Sequence, residues 1–236
     1  MKQIISLKQL SFYFFIIFIS ACSSSSSLQK KYTSQKDYWE KEVSELIALD
    51  SKESYPDNAI LFIGSSSIRL WKTLIEDMKP YSVIQRGYGG AHFRDMVFFT
   101  DRIMSDHQLS MVVCFVANDI SGSEQDGTPQ EVLKLFKHFI KQVRVKYPTI
   151  PIMQIAITPT KSRWSLWPEI DKVNALMKGY CEKTDNLYFI DTVPEFLDEK
   201  GQPKPQWFIK DQLHLNEKGY EVWNRIIKRE IEKVKS

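Results

Sequence analysis

The chain has 236 residues, 43% of them hydrophobic, and a formal net charge of +3. That content supports one domain with a full core. The lysines and arginines are spread along the helical segments beside balancing acids, which excludes a nucleic-acid binder, because phosphate contacts need concentrated positive charge.

The N-terminus reads as a targeting segment outside the fold. Lys2 and Lys8 give a positive start, and residues 10–19 form an apolar run with a single serine. That run is shorter than the roughly 20 apolar residues that cross a bilayer. Ile19-Ser20-Ala21-Cys22 resembles a bacterial lipobox. The resemblance implies cleavage before Cys22, lipidation of that cysteine, and an exported cell-envelope protein held to a membrane by its lipid. An ordinary signal peptide with Cys22 incidental is the alternative. The serine run 23–27, with residues 28–36, is expected to be a flexible tether, since it has little apolar area to bury. The expected division is therefore signal peptide 1–21, lipidated cysteine and tether 22–36, and one folded domain 37–236.

From residue 37 the pattern alternates. Tyr38, Trp39, Val43, Leu46 and Ile47 fall at helical spacing. Residues 59–63 read as a buried strand, 66–78 as a helix, 81–84 as a second strand and 92–104 as a second helix. A third strand is expected at 111–116. A long amphipathic helix follows, marked by Val132, Leu135, Phe136, Phe139, Ile140 and Val143. Residues 151–157 read as a fourth strand, 169–182 as a helix, 187–190 as a fifth strand and 220–234 as the last helix. This order predicts an α/β fold: a three-layer α/β/α sandwich around a parallel five-stranded sheet. Cys114 and Cys181 fall in a strand and a helix, and two buried free thiols are expected.

Candidate chemistry collects at the carboxyl ends of the strands, where open sheets of this kind bind ligands. Ser66 follows the first strand in Gly64-Ser65-Ser66-Ser67. There it is either a nucleophile at a helix N-terminus or a helix cap. Gly87-Tyr88-Gly89-Gly90 follows the second strand; glycine there lets a backbone N–H approach a substrate oxygen. Asn118 follows the third, and its amide can donate to an oxyanion or close an Asx turn. Near the C-terminus, Asp211-Gln212-Leu213-His214 places an acid three residues before one of only four histidines. The acid can orient the imidazole as a base, or the pair can cap the last helix. Of the other histidines, His92, His107 and His138, only His92 lies near a candidate segment, and none has a comparable acid partner. Trp71, Trp164 and Trp167, with Arg163, are either a sugar-binding rim or packing. Arg163 and Trp164 follow the fourth strand and are the candidate substrate-rim residues.

These blocks resemble the SGNH/GDSL hydrolase family from about residue 57 to the final helix. The resemblance implies a flavodoxin-like sheet and a carboxylic ester hydrolase. It implies Ser66 as nucleophile, His214 as base and Asp211 as its orienting acid. The oxyanion donors are then Ser66, Gly90 and Asn118, and no metal or other cofactor is implied. The stretch 64–71 looks like a branch found in exported bacterial members. Ser65 stands where the family usually has Asp, Gln85 where Asn often precedes the second block, and Val116 where glycine often lies two before the Asn. An exported member suggests an ester substrate such as an acetylated glycan. A lysophospholipase or thioesterase, or a binding module that has lost the chemistry, are the alternatives.

Overall fold

In the computed structural model, which describes residues 27–104 and 107–235, five parallel strands form one sheet. They are β1 (Ala59–Gly64), β2 (Val83–Gly87), β3 (Leu109–Phe115), β4 (Ile152–Ile155) and β5 (Leu187–Ile190). Their order is β2-β1-β3-β4-β5, with every neighbouring pair parallel. The chain reaches the edge at β2 and returns past β1 to β3. Strand order therefore reverses beside β1, and the crevice at its carboxyl end is where such sheets hold ligands.

Alternation along the strands builds the layers. Ala59, Leu61 and Ile63 face one side with Val112 and Cys114. Ile60 and Phe62 face the other with Met111 and Val113. The first side is covered by α1 (Thr33–Ile47), α4 (Phe93–Ile103), α5 (Pro129–Lys146) and α6 (Trp167–Cys181). The second is covered by α2 (Ser66–Arg69), α3 (Leu74–Asp77), α7 (Val193–Phe196) and α8 (Glu217–Lys235). Helix α5 starts cleanly: Pro129 opens it, and Thr128 and Glu131 exchange hydrogen bonds between side chain and backbone. In α8, Tyr220, Trp223, Ile227 and Ile231 repeat at 3–4 residue spacing and bury one face. Cys114 and Cys181 are both buried and free.

Three local expectations are corrected. The expected helix 66–78 is two short helices, α2 and α3. The Gln85 amide donates to the carbonyls of Ile68 and Trp71, and the amides of Trp71 and Leu74 bond back only three residues, which tightens and breaks the helix. Strand β2 runs on past its apolar stretch because its two polar side chains find partners: Gln85 in those carbonyls, Arg86 in Asp50 and Tyr55. Part of the segment expected to be a flexible tether is helical, at residues 27–31 and again from Thr33. Leu28 and Tyr32, one helical turn apart, pack on the core, and Lys31 pairs with Glu131 at 3.2 Å. Cys22 and the signal segment lie outside the described residues.

Candidate active site

The turn that carries Ser66 depends on Gly64. It ends β1 at φ +143°, and a Cβ there would lie 1.9 Å from the Phe115 carbonyl oxygen, so only glycine fits. Ser65 N–H then donates to that same carbonyl at 2.9 Å, and α2 begins at Ser66. Ser65 is buried and its side chain makes no cap bond. Tyr220 of α8 holds the turn from beneath, its hydroxyl donating to the Ser67 carbonyl at 2.9 Å.

Ser66 Oγ lies 3.0 Å from His214 Nε2, and His214 Nδ1 lies 2.7 Å from Asp211 Oδ2. An ionised carboxylate only accepts, so Nδ1 carries the proton and Nε2 is left to accept from the serine hydroxyl. Asp211 Oδ1 accepts from the backbone N–H groups of Leu213 and His214 at 2.9 and 3.0 Å. Burial works to raise the Asp211 pKa, but the His214 side chain and these two N–H groups outweigh it and hold the carboxyl below its ordinary value. The loop is closed by Ile209 N–H on the His214 carbonyl. Capping of α8 falls to Asn216, whose side-chain oxygen accepts from Gly219 N–H at 3.0 Å. Asp211 and His214 are thus free of that task.

The second block is divided by α1. Gly89 N–H donates to Glu42 Oε1 at 2.8 Å, and the Trp39 ring lies where a Gly89 side chain would go. Gly90 lines the outer groove beside Asn118, outside the residues that line the Ser66 cavity: a Cβ on it would sit 3.9 Å from the Trp39 ring and 4.0 Å from Asn118 Nδ2. The Asn118 amide is fixed on both ends. Its Nδ2 donates to the Ala91 carbonyl at 2.9 Å, and its Oδ1 accepts from Arg163 Nη2 at 2.8 Å. Arg163 Nη1 also donates to the Ala117 carbonyl at 2.7 Å. Asp119 is buried and accepts from Phe93 N–H at 2.9 Å, tying the third block to α4; burial raises its pKa.

Ser66, Asn118, Arg163, Leu213 and His214 share one small cavity of about 30 Å³. Val116 does not line it: the side chain is buried in the core on the α4–α5 side of the sheet, so its branching leaves the site clear.

Other expectations move. Trp71 is fully buried between Phe62, Tyr220 and Trp223 and is no rim residue. Trp164 stacks on Trp167 at 5.8 Å and lies outside the residues lining the cavity, whereas Arg163 lines it. His92 does have an acid partner, Asp95, at 3.0 Å; the acid lies three residues after the histidine, the reverse of the Asp211–His214 order. It caps α4 and lines an outer groove, while the Ser66 hydroxyl is taken by His214. Glu42 and Trp39 were not foreseen at the site. Their only sequence signal is their place on an amphipathic helix.

No curated protein matches the sequence. Among solved structures, a candidate platelet activating factor from Streptococcus pneumonia superposes with TM-score 0.69 at 18% identity, covering 88% of this chain and 98% of that one. A GDSL-like lipase from Bacteroides thetaiotaomicron gives 0.69 at 17% identity, with 81% and 98% covered. A mutant acetyl-xylooligosaccharide esterase from Geobacillus Stearmophilus gives 0.60 at 17%, with 74% and 94% covered. At such identities these likenesses carry the fold. The family model for the GDSL-like lipase/acylhydrolase family matches residues 32–222, and the chain belongs to that family of ester hydrolases.

Proposed function

We propose that the protein removes short acyl groups, acetyl above all, from carbohydrate esters through a serine acyl-enzyme. The observation that carries this is the continuous chain Ser66–His214–Asp211, whose serine and histidine line a small cavity.

Ser66 Oγ attacks the acyl carbon while His214 Nε2 takes its proton. The N–H groups of Ser66 and Gly90 and the Asn118 amide receive the charge that develops on the carbonyl oxygen. The C–O bond to the alcohol then breaks, and His214 returns the proton to the departing oxygen. Water, deprotonated by His214, attacks the acyl-enzyme and releases the acid and free Ser66. Asp211 keeps the imidazole in the required tautomer and offsets the imidazolium charge. These steps use the chain's own groups alone. A lipid on Cys22 would hold the domain at the cell envelope, with α1 close to the anchor.

The test is hydrolysis of 4-nitrophenyl acetate by the purified protein beside Ser66→Ala, followed by esters of increasing chain length. We expect turnover by the wild type, loss of at least 10³-fold in the folded variant, and kcat/KM falling as the acyl chain lengthens. Faster turnover of long-chain esters would instead assign a lysophospholipase or thioesterase. Inactivity of both proteins on every ester would leave a binding module.

A further inference from the structure

Beyond the acyl cavity, an open groove of about 600 Å³ runs from Asn118 and Arg163 past Gly90 to Tyr38 and Trp39 of α1. The proposed reaction leaves these two aromatics unused. Tyr38 is 75% exposed, although it belongs to the helical pattern that otherwise packs on the core. Trp39 is held firmly, its ring on Gly89 and edge-on to Tyr88 at 5.5 Å. The two rings meet at 4.7 Å and 86°, so they form a corner instead of a flat patch.

The opposite wall is polar. Arg94, only 8% exposed, spends one guanidinium nitrogen on the Gln125 carbonyl, and its Nε has no hydrogen-bond partner. Arg163 faces the same groove with donors only. Ser34 and Ser121 add hydroxyls. A fatty chain laid here would strip water from these groups and return no hydrogen bond. A ligand suited to the groove has an apolar face for an aromatic ring and several oxygen acceptors around its edge. A pyranose ring has both.

We infer that this groove is the alcohol-side subsite and that it binds the sugar carrying the ester. Tyr38 stacks on the C–H face of the ring, and Arg94 donates to its oxygens. This rests on the esterase reading and adds α1 to the substrate site.

The experiment compares wild type, Tyr38→Ala and Tyr38→Phe, using the full chain, on two acetyl esters. One is an acetylated xylo-oligosaccharide. The other is ethyl acetate, whose alcohol is too short to reach α1. For Tyr38→Ala we expect KM for the oligosaccharide to rise about tenfold, since one aromatic stacking contact contributes about that factor. The ratio of kcat/KM for the two esters should fall by the same factor. Tyr38→Phe keeps the ring and should restore most of the loss. An unchanged ratio in Tyr38→Ala overturns the subsite while the esterase reading stands. A KM rise on a short-acyl phospholipid with none on the oligosaccharide overturns it too, in favour of a lipid alcohol. If neither ester is hydrolysed, the esterase reading fails. Calorimetric titration of the deacetylated oligosaccharide then decides the groove separately, with binding weakened in Tyr38→Ala for it and no binding against it.

Discussion

Arg163 donates to the side-chain oxygen of Asn118 at 2.8 Å, and this contact determines which way the amide points. A guanidinium has no acceptor, so the atom facing it is Oδ1 and the NH₂ group is turned toward Ala91 and the Ser66 cavity. One N–H is held by the Ala91 carbonyl, and the other is the one that the proposed mechanism gives to the oxyanion. Under the proposed mechanism Arg163, expected as a substrate-rim residue, is a positioning residue for Asn118.

Removing Asn118 should cost roughly 10²–10³ in kcat, the usual effect of one oxyanion donor. Arg163→Ala should cost about 10- to 100-fold, because a hydrogen bond to a charged group contributes about 1.5–3 kcal/mol. The informative measurement is the double variant. If Arg163 acts through Asn118, adding Arg163→Ala to Asn118→Ala should cost little further. Full additivity would mean that Arg163 acts on the substrate directly.

Asp211→Asn should keep the loop and lose the chemistry. An Asn oxygen can still accept from Leu213 and His214 N–H, but its NH₂ would face His214 Nδ1 and force the ring proton onto Nε2. Nε2 could then no longer accept from Ser66, and kcat should drop on the order of 10²–10⁴. The wild-type carboxyl titrates below its ordinary value, so its contribution to stability is complete above that value and is lost only as pH falls through the lowered one. Urea unfolding of Asp211→Asn and wild type between pH 5 and 8 should therefore give parallel pH dependences.

What could be read in the sequence was what is local. Gly64 after an apolar run announces a sharp turn, and Asp211 three residues before His214 announces an oriented ring. Both stand, with the sheet order that brings them to one rim. What escaped depends on partners distant in the chain. Trp71 looked available for a sugar until Tyr220 and Trp223 covered it. The break after Arg69 comes from Gln85, fourteen or more residues away. Leu28 and Tyr32 sit beside a serine run that masks their helical spacing, and only their contact with the core turns a spacer into structure. Gly89 and Gly90 are alike as letters; Glu42 takes the N–H of one and leaves the other.

Cys114 and Cys181 should be inert in the folded protein. Burial pushes the Cys181 thiol up to about 12, with Glu182 adding to it, and burial raises Cys114 well above its usual range. At pH 8 a thiol with that pKa is ionised to about one part in 10⁴. In a Cys22→Ser background, Ellman's reagent should find no fast-reacting thiol in the native protein and two after denaturation. One fast thiol in the native state would contradict this burial.

His138 should make the fold acid-sensitive just below neutrality. It is buried on α5, and its Nε2 has no hydrogen-bond partner. Burial lowers its pKa from 6.5, Lys141 lowers it further, and Asp101 opposes them. The unfolded chain therefore takes up this proton first as pH falls. Stability is unaffected well above 6.5 and declines from there down toward the lowered folded value. His138→Leu removes the proton site without emptying the space. Its unfolding free energy in urea should fall less than that of wild type between pH 7 and pH 5, with the two curves converging in slope above pH 7.5. Equal slopes across the whole range would show that the histidine titrates alike in both states.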